Sequence, residues 1–257
     1  MEQIKKKFWV EKFPCFSICG SDAKKFINSI TTGNIIDSKN VVSKTCWLTP
    51  NGVLRSLIEI IYLDHKLEVV VLAGDIDEIK DYFYKIIFPA DDVSVSDSFS
   101  INRFQEVDET NSWKVNQPFF LNNDDPEYQI IKDKLKIINT NDLKFWKINQ
   151  AIPSIENEID GKNNPLELGL TDLVDFNKGC FLGQETVAKI KNVSSLKQEI
   201  RVWNSSDFIF NEESQNQNIY INKNKQKIIG KITSFHIADT NIRGLAMIKR
   251  KYLDIAH

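Results

Sequence analysis

No apolar run in this sequence is longer than a β-strand. The longest, such as residues 57–63, are strand-sized, and none approaches the ~18 apolar residues of a membrane-spanning helix. The chain must therefore build its core from short strands covered by amphipathic helices. Residues 21–30 predict a helix, with Ser21 as N-cap and Ala23, Phe26, Ile27 and Ile30 on one face. Residues 44–48 and 53–63 read as two strands joined by Thr49-Pro50-Asn51-Gly52, a type I turn with proline at its second position. A Val-rich strand over 66–72 follows, then a helix over 75–88 with Ile76, Ile79 and Phe83 on one side and a strand over 94–103. Residues 106–127 are polar and read as irregular or as a short hairpin. Residues 141–150 predict a helix with Asp142 near its start, and the Asn-, Gly- and Pro-rich stretch 155–168 reads as a loop.

From Ile200 onward the pattern changes to short strands: 200–203, 218–221, 227–235 and 243–248. Such spacing suggests a small or partial β-barrel. The expected organisation is an α+β body over residues 1–196 and a small β-barrel module over 197–257, with the boundary near 194–197.

Composition narrows the function classes. The net charge is -2 and the pI about 6.0, so bulk electrostatics draw the chain neither to nucleic acid nor to a membrane surface. A local basic pocket for a small anion stays compatible with that balance. The start, MEQIKKKFWV, lacks the apolar stretch of a signal peptide, and the expectation is a cytoplasmic protein. Cys15, Cys19, Cys46 and Cys180 match no zinc spacing and read as reduced thiols, mostly buried, with Cys180 set apart. His65, His236 and His257 are scattered, and no metal site is expected. Asp124 and Asp125 read as turn chemistry.

The chemistry concentrates in residues 178–185, KGCFLGQE. Gln184 and Glu185 open a helix running to Lys191, with Val187 and Ile190 on its apolar side. Glu185 suits the positive end of that helix, and Lys189 and Lys191 suit the negative end. Cys180 stands shortly before the helix start and two residues from Lys178, and both features stabilise a thiolate. On the residues alone two readings stand: a reactive thiol, or Cys180 and Phe181 packed in the core with Gly179 and Gly183 serving a tight turn.

KGCFLGQE, followed by Thr186-Val187-Ala188-Lys189, resembles the signature of the YgfZ/GcvT folate-binding family, Lys-x-Cys-aromatic-x-Gly-Gln-Glu with a basic residue four beyond. Ile152-Pro153, Gly161 and Pro165-Leu166-Glu167 resemble the stretch preceding it. Gly20 to Phe26 with Thr31-Thr32, residues 47–53, and the strands at 230–234 and 244–248 resemble other family landmarks. The resemblance implies a GcvT/YgfZ-like folate-binding body with ferredoxin-like subdomains, and a terminal β-barrel. It implies tetrahydrofolate as ligand and iron–sulfur client enzymes as partners, with no direct nucleic-acid or membrane binding. Carried over by motif, Lys178 and Cys180 are the chemical residues. Gly183, Gln184, Glu185, Lys189, Asn149 and Trp47 are assigned to folate, with Trp146 as a second aromatic near the cavity.

Two departures separate the chain from the glycine-cleavage T-proteins of the family. Where they place a carboxylate after the hairpin glycine, this sequence has Arg55 and Ser56. Where a second carboxylate reads the pterin edge, it has Asn149, an amide that hydrogen-bonds but balances no charge. Lys189 stands where arginine is usual, keeping charge without a bidentate fork. The resemblance thus implies an accessory protein of iron–sulfur cluster assembly or repair. The alternatives are an active tetrahydrofolate-dependent aminomethyltransferase or demethylase, and a family member reduced to a protein-interaction module.

Overall fold

The computed structural model describes residues 6–38, 41–63, 66–193, 196–204, 218–220, 227–238 and 241–254. Its larger sheet is organised by β1 (Lys7–Cys19), a strand that hydrophobic periodicity does not announce because Pro14 lies inside it. The first half of β1 pairs with β6 (Phe99–Val107), and its ladder with β4 (Lys66–Ala73) begins only at Cys15. Pro14 sits where the second ladder has not started, so a residue without an N–H is tolerated there.

β2 (Val42–Leu48) and β3 (Leu54–Leu63) form the expected hairpin, and the sheet order is β2-β3-β4-β1-β6-β7, with β7 at Phe119–Leu121. Two short strands, β5 (Ser94–Val95) and β8 (Lys136–Ile137), also pair with β1. The strand read over 94–103 is therefore two strands with a break.

Helices cover both faces. Ala23, Phe26, Ile27 and Ile30 of α1 (Ala23–Ile30), with Ile79 and Phe83 of α2 (Ile76–Ile86), pack on Phe16, Ile18, Ile58, Ile60 and Val69. Asp75 caps α2 by accepting from the backbone N–H groups of Asp77 and Glu78. The N-cap of α1 is Asp22 rather than Ser21. Asp22 and the Ser21 N–H are instead spent on Asp92, which ties the helix start to the turn before β5. The helix α3 (Pro126–Lys134) lies in and beyond a stretch read as irregular; none of its residues is buried, so it carries no apolar stripe to detect.

The opposite face carries Trp9, Phe13, Cys15, Cys46, Leu48, Leu57 and Ile101. It is covered by α4 (Thr140–Asn149), the 151–183 loop and α5 (Gln184–Asn192). Asn139 caps α4, and Asp142 lies in its first turn as expected.

The C-terminal strands β9 (Gln198–Asn204), β10 (Asn218–Tyr220), β11 (Ile228–Ala238) and β12 (Asn241–Lys249) form a second antiparallel sheet, in the order β10-β11-β12-β9. Among the described residues this is an open sheet; no closed barrel is present. Alternation along β12 sends Leu245 and Met247 into the body core with Ile200. It sends Ala246 and Ile248 into a small core with Trp203, Ile219, Ile229 and Ile232. Residues 194 and 195 of the expected boundary, residue 221, His65 and His257 lie outside the described residues.

Candidate functional site

The motif segment is clamped from three sides. Lys178 Nζ donates to the carbonyl oxygens of Thr31 (2.9 Å) and Gly33 (2.5 Å), just past the C-terminus of α1, where a cation meets the negative end of the helix dipole. The Leu182 N–H donates to Ser29 O at 3.0 Å, the Asp175 N–H to Thr32 O at 2.9 Å, and Thr32 Oγ1 to Leu173 O at 2.7 Å. Phe181 and Leu182 then turn to opposite faces of the sheet, Phe181 into the core around Trp9 and Leu182 against the core around Phe16.

The third contact is made by two glycines. Gly183, at φ 80°, begins α5 and lies against the β2–β3 turn; a Cβ there would stand 2.6 Å from Thr49 O and 3.0 Å from Gly52 Cα. Gly52, at φ 75°, closes that turn with a hydrogen bond to Thr49 O, and a Cβ on it would meet Val187 and Thr186 of α5 at 3.0 and 3.1 Å. Both positions need the left-handed region that glycine enters freely.

Against this clamped base the tip is open. Gly179 has no heavy atom within 4 Å of where its Cβ would stand, and Cys180 is exposed, whereas Cys15 and Cys46 are buried and Cys19 is half-buried. Glu185 and Lys189, also exposed, stand one turn apart on α5, and Gln184 Oε1 accepts from the Phe181 N–H at 3.3 Å. Lys178 thus serves the fold through two carbonyls rather than standing free beside the thiol.

The other expected folate residues make packing or linking contacts of their own. Trp47 is buried between the sheet and α2, 5.3 Å from Tyr82 and 6.3 Å from Phe83 between ring centres. Strand alternation puts it on the face opposite Cys46 and Leu48. Asn149 is exposed at the end of α4, and its Oδ1 accepts from Arg243 Nη1 at 2.6 Å, linking the body to β12. Trp146 packs edge-on to Trp9 and donates to Asp108 O at 3.0 Å. Among the described residues no three His, Cys, Asp or Glu side chains gather as a metal site.

Beneath the 108–117 loop lies a buried charged cluster. Glu59 accepts from Arg103 Nε at 2.6 Å and Nη2 at 2.8 Å, and both side chains are fully buried. Lys44 Nζ is 3.9 Å from Glu59 and donates to Asn116 O, while Gln105 bridges Arg103 to the carbonyls of Trp113 and Asn116. Arg103 also covers the Trp9 ring at 4.3 Å. The loop above is held by Trp146, by Gln150, which accepts from the Trp113 N–H, and by Lys114, which donates to Gly169 O. A lone acid within the apolar run 57–63 was the one sequence signal for this cluster.

Burial holds the ammonium groups of Lys44 and Lys178 down to about 8, with Glu59 and Asp175 respectively pulling the other way. Burial also pushes the Cys46 thiol up to about 12 and raises Cys15 further. The consequences have opposite signs. Between pH 8 and 10.5 the unfolded state holds more protons on these lysines than the native state, so their contribution makes stability rise with pH. Above pH 9 the thiols ionise only when unfolded, so theirs makes it fall. Urea midpoints at pH 7.5, 8.5 and 9.5 under reducing conditions should show a shallower rise for Lys178→Met than for wild type, and a steeper one for Cys46→Ala. Unchanged slopes in both variants would refute these assignments.

On β3, where the T-protein pattern has its carboxylate, Arg55 pairs with Glu78 of α2 and Ser56 is buried, donating to Ala73 O at 2.8 Å.

No family model matches the chain. Its fold is that of the glycine-cleavage system aminomethyltransferase T from Bartonella henselae: the structures superpose with a TM-score of 0.68 over 96% of this chain and 80% of that one, at 9% identity. In sequence it is 31% identical over 99 residues to the tRNA-modifying protein YgfZ of Colwellia psychrerythraea, covering 34% of this chain and 31% of that protein. An uncharacterized protein of Haemophilus influenzae is 22% identical over 223 residues, 80% of this chain and 73% of its own. A chloroplastic Arabidopsis thaliana protein named as a transferase is 39% identical over 54 residues, which span only 12% of its length. The chain is thus an α+β protein of the T-protein fold. In sequence and fold together it is YgfZ/GcvT-like.

Proposed function

We propose that this protein is a folate-binding accessory factor of iron–sulfur cluster assembly or repair, acting in the cytoplasm on client enzymes without aminomethyl transfer. The observation that carries this reading is the contrast within the motif: a rigidly clamped base and an open tip that presents Cys180. A thiol so placed is reachable by a macromolecular partner. One cysteine cannot hold a cluster alone, since clusters usually take four ligands, so the remaining ligands come from the client.

In this reading tetrahydrofolate is assigned to the buried donor set on the sheet face, and its entry requires the 108–117 loop to lift. Among the described residues, Arg103 Nη1, Trp113 Nε1 and Asn116 Nδ2 are buried donors without a hydrogen-bond partner, in a cluster with two cations and one carboxylate. A folate carries further carbonyl and carboxylate acceptors that could take up these three donors. When bound, tetrahydrofolate supplies a reduced pterin able to carry a one-carbon unit. Lys44, Arg103 and the 108–117 loop would bind and orient it, while Lys178 keeps the Cys180 tip in place.

Arg55, engaged with Glu78, and Ser56, buried against Ala73, support the absence of transferase chemistry, because neither offers a carboxylate beside the hairpin turn. Cys180→Ser is expected to leave the fold intact and fail to restore iron–sulfur client activity in a deletion strain. Full restoration by this variant would remove the thiol from the account.

A further inference from the structure

We infer that the cleft between the start of β9 and the end of β12 is a binding site for a small multivalent oxyanion, a ligand with several closely spaced carboxylates or phosphates. The cleft is a shallow, open groove of about 680 Å³ lined by Lys197, Gln198, Lys249, Arg250 and Lys251. That volume lies in the range of small-molecule sites. Among the described residues none of its four cations is within ion-pair reach of a carboxylate, although such pairs occur widely elsewhere on the surface. Lys249 Nζ donates to Ile228 O at 3.0 Å, and Lys251 lies over the Tyr252 ring, which Lys227 flanks from 5.2 Å.

The frame is built rather than incidental. The Arg250 N–H donates to Lys197 O at 3.0 Å, which joins the two lining segments, and the Leu253 N–H closes a short 3-10 turn on Arg250 O. Gln198 Nε2 is held by Asn163 Oδ1 at 2.8 Å. Charge is partitioned the same way along the chain. Residues 197–257 carry ten Lys and Arg against six Asp and Glu, whereas residues 1–196 carry 23 against 29. The C-terminal segment is thus net positive in a near-neutral protein, and four of its ten cations line this cleft, where they attract anions. Among the described residues the lining holds no aromatic side chain, so it offers no platform on which bases stack, which favours a compact anion over single-stranded nucleic acid.

The test is calorimetric titration of the full chain with tripolyphosphate in one arm and triglutamate in the other, at low and at 0.5 M salt. Saturable one-site binding in at least one arm is expected, weakened by salt. It should weaken at least about tenfold in the combined Lys249→Gln, Arg250→Gln, Lys251→Gln variant. It should be unchanged in Lys24→Gln and Lys80→Gln. The arm that binds identifies phosphate or carboxylate as the source chemistry. Hydrogen exchange on wild-type protein should show ligand protection at residues 197–198 and 249–253, which keeps the test decisive if the triple variant folds poorly. Absence of saturable binding in both arms, equal loss in the control variants, or tighter binding of an RNA oligomer than of either small anion would overturn the inference. None of these readouts involves folate or Cys180, so its failure and that of the proposed function are separable.

Discussion

Replacing Glu59 by glutamine is expected to destabilise the protein by roughly 3–5 kcal/mol, the cost of stripping a buried ion pair of one partner. Among the described residues Glu59 is the single carboxylate paired with Arg103 and Lys44, and all three side chains are almost wholly buried. With the acid gone, Arg103 keeps its charge because a guanidinium cannot give up its proton, whereas Lys44, already held down to about 8, can. Lys44→Met should therefore be the milder variant. Arg103→Met alone leaves a buried carboxylate facing only a weakened lysine and should cost nearly as much as Glu59→Gln. The double variant Glu59→Gln, Arg103→Met should be less destabilised than the sum of its parts, because no isolated charged partner of the Arg103–Glu59 pair remains. Urea denaturation of the four variants gives the comparison. A loss below about 1 kcal/mol for Glu59→Gln would mean the cluster is as well solvated as a surface pair.

The second large effect is expected at Gly183. Alanine there must hold φ near 80°, at a cost of about 1–2 kcal/mol for an L-residue. Its methyl group must also find room where Thr49 O lies 2.6 Å away, overpacking that typically adds about 1–3 kcal/mol. Both contacting groups are backbone of a tight turn and cannot rotate aside. The combined loss should be about 2–5 kcal/mol, and relief can come only by lifting α5 off the hairpin, which would also displace the Cys180 tip. Gly179→Ala supplies the contrast, because open space surrounds that position and the change should stay within about 0.5 kcal/mol. Equal stabilities for the two alanine variants would contradict the clamped-base, open-tip geometry.

These sites show how far the sequence could be read and where it stopped. The β2–β3 hairpin and α1, α2 and α5 were legible because turn chemistry at Thr49 to Gly52 and apolar spacing at 3.6 residues are local signals. β1 was hidden by Pro14, which is compatible with a central strand only because its two ladders are staggered. α3 was hidden because it buries nothing. At the site, the motif announced itself, but its anchoring did not. Lys178 binds backbone carbonyls of Thr31 and Gly33, and recognition by backbone leaves no side-chain pattern to find. Trp47 was assigned to folate from its segment alone; its position on the other face of β2 follows from pairing register. The basic cleft joins cations from the two ends of the C-terminal segment, which the pairing of β9 with β12 brings side by side.

Tetrahydrofolate binding without aminomethyl transfer is tested by calorimetric titration of the purified chain with tetrahydrofolate, followed by a turnover assay with an aminomethyl donor. Saturable binding at micromolar folate, weakened by Arg103→Met in protein shown to be folded, is expected without turnover. No binding at millimolar folate, or steady turnover of the donor, would contradict it.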